Sequence, residues 1–156
     1  MRLHPRGIFA VLALGASDAD TRAALAVALV AGNGVALVGA ANGHALRAAF
    51  VAGGVPGGAI TLWPADAAAG LLAHPELAGV CLATPGAQAA RAVTRALAAR
   101  GGAILPLITR AELQDPERLW RFCAEQTLTI NTAAAGGNAE LLAAAGRDLD
   151  GHARAA

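Results

Sequence analysis

The sequence predicts an α/β domain built on a doubly wound, mainly parallel sheet of about five strands. Short apolar runs alternate along the chain with longer segments of helical character. Continuous apolar runs are typical of strands in parallel sheets, because helices cover both faces of such sheets. A length of 156 residues suits one domain with a substantial core. Successive right-handed βαβ units then give a Rossmann-like arrangement.

The predicted elements follow one another in this order. The apolar run 8–14 predicts a buried strand, and Ser17 or Asp18 is placed to cap the next helix. Apolar positions of that helix continue to Val30, and Gly32 and Gly34 end it. The further strands are predicted over residues 35–38, 59–62, 80–82 and 104–108. The further helices are predicted over residues 44–51, 65–73, 88–100 and 116–125.

The pattern changes after residue 125. Residues 127–131 alternate in polarity, as in a strand buried on one face, and residues 132–138 are too small to form a core element. A half-buried strand added to a complete sheet leaves an exposed edge, so we expect it to dock on another domain. The sequence thus predicts a Rossmann-like domain over 1–126, a docking motif over 127–145 and a flexible end over 146–156.

The charge composition excludes one class of partner. All 12 basic residues are arginine, 11 residues are acidic, and no basic run occurs. Binding of nucleic acid needs clustered positive charge, so we expect no nucleic acid partner. The first residues show neither a signal peptide nor an apolar stretch long enough to span a bilayer. We therefore expect a cytoplasmic protein without a membrane segment.

The residues alone predict no catalytic, cofactor-binding or metal-binding site. The turn after the first strand reads Gly-Ala-Ser-Asp over 15–18, and the two usual phosphate-binding motifs, GxGxxG and GxxxxGK[ST], do not occur. Cys81 and Cys123 lie far apart without a CxxC motif, as expected of small apolar residues in a reducing compartment. Acidic residues lie near predicted helix starts, where capping explains them. The histidines are scattered: His4, His44, His74 and His152.

Three segments carry a resemblance to a known family. Residues 31–38 read AGNGVALV, residues 52–58 read AGGVPGG, and residues 74–80 read HPELAGV. In their order and spacing they resemble the cofactor domain of aldehyde dehydrogenases, over roughly residues 8–110. The resemblance implies a Rossmann-like domain that in other members binds NAD.

The chain departs from this family at the positions that hold the cofactor. Gly39 and Asn42 lie in the segment where the family has the KPxE motif that holds the adenine ribose. Thr84 and Pro85 lie where the family has FTGS facing the pyrophosphate, and proline has no backbone N–H to donate. Residues 107–110, LITR, lie where the family has ELGG, which includes its catalytic glutamate. These departures imply a degenerate aldehyde-dehydrogenase-like domain with no cofactor and no catalytic residue.

The C-terminal motif narrows the resemblance. Residues 129–141 read TINTAAAGGNAEL and resemble the terminal motif of proline utilization A, and residues 95–109 are also similar to that family. Its members join an FAD-dependent proline dehydrogenase to an NAD-dependent glutamate semialdehyde dehydrogenase. The resemblance implies a non-catalytic C-terminal domain that docks on the catalytic dehydrogenase domain and helps close the substrate-channelling tunnel. The implied docking residues are Asn131, Thr132, Gly136, Gly137 and Asn138.

Two other interpretations remain open at this point. One is a small, stand-alone nucleotide-binding oxidoreductase of the aldehyde dehydrogenase superfamily. A set of hydrogen-bond donors at the first or fourth βα turn would distinguish it. The other is a gene fragment without a function of its own.

Overall fold

The computed structural model describes residues 2–126, and within them seven strands and five α-helices follow one another. The strands are β1 (Arg2–Pro5), β2 (Ile8–Leu12), β3 (Gly34–Val38), β4 (Ile60–Trp63), β5 (Leu77–Leu82), β6 (Leu107–Thr109) and β7 (Cys123–Gln126). The α-helices are α1 (Asp18–Val30), α2 (Gly43–Ala52), α3 (Ala68–Ala73), α4 (Ala87–Ala99) and α5 (Arg110–Leu113). Two 3₁₀ segments, Ala65–Ala67 and Pro116–Phe122, lead into α3 and β7.

Five of the strands form one parallel sheet in the order β4-β3-β2-β5-β6. If these strands are counted along the chain, the spatial order is 3-2-1-4-5. The predicted α/β architecture with a five-stranded parallel sheet is therefore confirmed. The strand order is compatible with a Rossmann-like fold.

Alternate residues of the central strands pack into two separate hydrophobic cores. Phe9 and Val11 of β2 pack on the face covered by α1 and α2, while Ala10 and Leu12 pack on the face covered by α3 and α4. A strand between two helical layers has no polar face, because both of its faces are buried. This explains why the strand segments read as continuous apolar runs.

The start and end of α1 agree with the sequence prediction. The Ser17 side chain caps the helix and accepts a hydrogen bond from the backbone N–H of Asp20 at 3.1 Å. Gly32, just beyond the helix, has a φ of 80°, which favours glycine over residues with a Cβ atom. The two ends of α1 thus follow from local side-chain chemistry.

Two predicted elements near the C-terminal end of the domain are wrong in extent or type. The strand predicted over 104–108 comprises only Leu107–Thr109, and Ile104 is 99% exposed. The helix predicted over 116–125 is a 3₁₀ segment, Pro116–Phe122, followed directly by β7. The 3₁₀ geometry keeps Phe122 buried, with its ring centroid 5.0 Å from that of Phe9.

A two-stranded antiparallel ribbon joins the two ends of the described chain. β1 pairs with β7 in the register Arg2 to Gln126 through Pro5 to Cys123. The sequence pattern predicted neither strand. Each has only four residues, and their pairing depends on a contact between segments about 120 residues apart, which local periodicity does not reveal.

Candidate functional site at the carboxyl end of the sheet

In open α/β sheets, ligands bind outside the carboxyl ends of the strands, where neighbouring strands send the chain to opposite faces. Here that place lies between β2 and β5, because α1 and α4 pack on opposite faces of the sheet. We call it the switch-point crevice. It is bordered by residues 13–17 after β2 and residues 83–86 after β5.

Acidic side chains surround the N-terminus of α1 on one side of this crevice. Asp18 and Asp20 lie in the first turn, and the Ser17 hydroxyl donates to Asp20 Oδ2 at 2.6 Å. Asn42 Nδ2 donates to Asp18 Oδ2 at 2.9 Å. The carboxylates interact favourably with the positive end of the helix dipole. They also repel a phosphate group, which would otherwise be attracted to this helix end.

An ion pair links the same helix end to α5. Arg110 Nε lies 2.8 Å from Asp20 Oδ1. The pKa of Asp20 is lowered, first because Ser17 donates to its carboxylate and second because Arg110 pairs with it. The Arg110 guanidinium, which lines the cavity after β5, is therefore engaged by a carboxylate of this chain.

The second turn, after β5, offers an anion few side-chain donors. Thr84 Oγ1 donates to the carbonyl of Leu12 at 3.3 Å, and Pro85 has no N–H. Gly86, with a φ of 105°, is the N-cap of α4 and has no side chain. The cavity at this turn has a volume of about 270 Å³. Its lining is largely apolar and includes Leu82, Pro85 and Ala90, and the charged Arg110 also borders it.

The position that resembles the family's ribose site is sterically fixed as glycine. Gly39 has a φ of 68°, and a Cβ atom placed there would lie 2.7 Å from Cγ of Leu14. A lysine at this position would be strained by its backbone conformation and would clash. Asn42 lies directly before α2 and bonds to Asp18. The structure therefore brings Asn42 to α1, while Thr84 and Pro85 lie at the start of α4.

Glu112 organises the chain that follows β6. The backbone N–H and the hydroxyl of Thr109 donate to Glu112 Oε2 at 2.8 and 2.9 Å and complete a capping box. Arg118 and Arg121 pair with Oε1 of the same carboxylate. Burial raises the pKa of Glu112, but the bonds from Thr109 and the two arginines outweigh burial and hold the pKa below its usual range.

We expect Glu112→Gln to destabilise the protein by about 1–2 kcal/mol at pH 7, since glutamine keeps the cap acceptor but loses the charge. Because the folded pKa is lowered, the carboxylate stabilises fully above its unfolded pKa of about 4.3 and loses this effect as the pH falls through the folded value. Urea unfolding at pH 7 and in steps down to acid pH measures the difference. The exposed Glu117→Gln is the matched control, with little expected effect. A Glu112→Gln deficit that does not shrink with acidification contradicts this account.

The cysteines differ in their surroundings. Burial, and then the nearby charge of Glu112, raises the pKa of the Cys81 thiol to about 12, so it stays protonated at neutral pH. Cys123 is partly buried, and both cysteines are free thiols. Within residues 2–126 the structure assembles no group of three or more histidine, cysteine, aspartate or glutamate residues that could hold a metal ion.

Sequence reasoning missed an apolar groove beside the β1–β7 ribbon. Its volume is about 430 Å³. Its walls are the residues Leu3, Ala26, Val27, Val30, Ala31, Leu119, Trp120 and Cys123. We call it the ribbon groove. The signal in the sequence is the apolar end of α1, but only the pairing of β1 with β7 shows that Leu3 and Cys123 complete the surface.

The predicted docking residues Asn131, Thr132, Gly136, Gly137 and Asn138 lie outside the residues that the structure describes. Of the helices in residues 2–126, none combines the length and apolar character needed to cross a bilayer. Comparison of the chain with protein-family models, with curated proteins and with solved structures finds no match.

Proposed function

We propose that this chain is a non-catalytic interaction module that binds the catalytic dehydrogenase domain of a proline-oxidising enzyme of the proline utilization A type. In this role it helps assemble the dehydrogenase and close the tunnel between its active sites. The partner is inferred from the resemblance of the C-terminal motif, residues 129–141, to the terminal motif of proline utilization A. The ribbon groove is the observation that carries the interaction function.

The ribbon groove has the character of a protein-binding surface. Val30 is 89% exposed and Trp120 is 53% exposed, and the lining is almost entirely apolar. Contiguous apolar patches of this kind mark interaction sites in soluble proteins. A large aromatic side chain such as Trp120 is also typical of residues that dominate binding energy at interfaces.

One wall of the groove comes from residues that closely precede the predicted docking motif in the sequence. Cys123 lines it, β7 ends at Gln126, and the motif resembling proline utilization A starts at residue 129. Within the described residues, β1 and β7 pair only with each other, so each offers a second edge for a further strand. We expect the partner to present an apolar ridge that packs into the ribbon groove.

The carboxyl end of the sheet supports a role without chemistry. Its polar groups bond to one another: Asp20 pairs with Arg110, and Asn42 bonds to Asp18. Tunnel closure needs a complementary surface that keeps a reactive intermediate from bulk water, and it needs no titrating residue.

We expect Val30→Glu to weaken association with the catalytic dehydrogenase portion at least about tenfold, because it places a charge where the proposed complex would bury an apolar side chain. Sedimentation velocity of the full chain with that portion measures the affinity. The matched control is Val51→Glu, which makes the same exchange near the end of α2, away from the groove, and should leave affinity within about twofold. Equal affinity of Val30→Glu and the unmodified chain rejects the groove as the interface.

The docking motif is tested in the same assay. Gly136→Val combined with Gly137→Val should also weaken association, since branched side chains prevent the close backbone approach that glycine permits. If this variant binds normally while Val30→Glu does not, the groove alone forms the interface. If neither change matters, the proposed partner is wrong.

A second candidate is a stand-alone nucleotide-binding oxidoreductase, and the strand order 3-2-1-4-5 favours it. Against it are the acidic residues at α1 and the fixed Gly39. We therefore expect NAD to bind more weakly than about 1 mM in calorimetric titration. Micromolar binding of NAD or NADP supports this second candidate instead.

A further inference from the structure

The outer side of α4 carries positive charge without a counter-charge. Arg91 and Arg95 are exposed and lie on the side of the helix opposite to the buried Val93. Side chains four residues apart are neighbours on a helix, so these two like charges repel each other. The sequence has no acidic residue from 77 to 111, and the ion pairs within residues 2–126 involve neither arginine. Carboxylates brought by a partner would offset this repulsion.

An apolar cleft of about 380 Å³ adjoins this charged side of α4. Thr94 and Ala98 line the cleft, and each lies three residues after one of the two arginines, which makes it a neighbour of that arginine on the helix surface. The remaining wall is largely apolar and comes from the end of α4 and the chain that leads into β6: Leu97, Ile104, Leu105 and Leu107. Positive charge and apolar surface therefore lie side by side on the protein.

The cleft is open to solvent as it stands. Ile104 is 99% exposed, and Thr94 and Ala98 are exposed as well. β6 is the last strand at this edge of the sheet, so no further strand of the described residues covers it. The cleft lies on the face of the sheet that α3 and α4 cover, whereas the ribbon groove adjoins α1 on the other face. The two apolar surfaces are therefore separate.

We propose that this face is a second docking surface, which binds an acidic segment of a protein partner through its carboxylates and one large apolar side chain. The carboxylates pair with Arg91 and Arg95, and the apolar side chain enters the cleft and packs against Ile104. Charge complementarity of this kind selects an acidic partner over a basic one. An anionic membrane fits less well, because helices that bind membranes insert large apolar side chains, and the exposed side of α4 has none.

The test is a titration of the isotope-labelled full chain with the acetylated and amidated peptide EELLEE, followed by amide NMR shifts. We expect saturable shifts at Thr94, Ala98 and Leu105, which line the cleft. The peptide EESSEE should bind at least about fivefold more weakly, because it has no apolar side chain for the cleft. KKLLKK should not bind. Raising NaCl from about 50 to about 500 mM should weaken the binding of EELLEE, because salt screens exposed ion pairs.

Matched variants show which side chains carry the binding. Arg91→Gln combined with Arg95→Gln should weaken EELLEE binding about fivefold or more, while Arg22→Gln, at an exposed arginine of α1, should leave it unchanged. Ile104→Ser should weaken the binding of EELLEE but not that of EESSEE. All four positions are exposed, so we expect these variants to fold.

Three results would overturn the proposal: no saturable shifts at the cleft, equal binding of EELLEE and EESSEE, or full binding by the double arginine variant. Binding of the chain to phosphatidylserine vesicles but not to EELLEE would also overturn it, and would indicate a membrane surface instead. The catalytic dehydrogenase portion is absent from this assay, so its outcome does not depend on the interaction proposed for the ribbon groove.

Discussion

Asn33→Ala is expected to destabilise the protein by about 3 kcal/mol, because one buried amide bonds three separate parts of the chain. Asn33 Oδ1 accepts from the backbone N–H groups of Arg6 and Gly7 at 2.8 and 3.1 Å. Its Nδ2 donates to the carbonyl of Phe122 at 2.9 Å and to that of Ala28 at 3.2 Å. Alanine leaves two N–H groups and the Phe122 carbonyl without this partner. Chemical denaturation followed by circular dichroism measures the loss.

Asn42→Ala is the control for this prediction. Asn42 makes one exposed side-chain bond, to Asp18, so its removal should cost less than about 1 kcal/mol. Since Asn33 joins the β1–β2 turn to the residue before β7, Asn33→Ala should also speed hydrogen exchange in the ribbon. Similar losses for the two asparagine variants would show that the buried amide does not hold these segments together.

Gly79→Ala is expected to destabilise the protein by a similar amount, about 3 kcal/mol, through overpacking. Gly79 of β5 lies beside Phe9 of β2 in the parallel register. A Cβ atom on Gly79 would lie 2.4 Å from both Cε1 and Cζ of the Phe9 ring. Phe9 is fully buried and packs against Phe122, so its ring cannot move away without disturbing a second ring. Thermal and urea unfolding measure the effect.

The same exchange elsewhere should have the opposite sign. Gly70 lies inside α3, and a Cβ atom there meets nothing within 4 Å. Gly70→Ala should therefore stabilise by about 0.5–1 kcal/mol through helix propensity. Phe9→Leu should recover part of the loss in Gly79→Ala, since the smaller side chain vacates the space, and a double-mutant cycle measures this coupling. Additive effects of the two changes would contradict a direct clash.

The unsatisfied groups of this domain lie away from the place where Rossmann-like sheets bind cofactors. At the switch-point crevice, Asp20 and Arg110 bond to each other. By contrast, the ribbon groove exposes Val30 and Trp120. Exposed apolar surface is the feature that a protein partner would cover. This distribution favours binding over chemistry at the carboxyl end.

Much of the fold was predictable from local patterns. The central strands were found because β2, β3 and β5 are buried on both faces and so read as apolar runs. The start of α1 was predictable because the hydroxyl of Ser17 caps the helix within its own segment. The candidate site was less predictable. The ion pair of Asp20 with Arg110 joins residues far apart in the chain, and spacing alone does not reveal it.

The sequence by itself determined the order and kind of the five strands of the parallel sheet and of helices α1 to α4, because burial on two faces and helix capping leave marks within a few residues. Tertiary structure alone decided the ribbon, the 3₁₀ segment before it and the exposure of Ile104. Phe122 fits a helical pattern locally, but its ring packs on Phe9 and its carbonyl bonds to Asn33. Those contacts involve partners about 90 residues or more away in the sequence, so they are evident only in the folded structure.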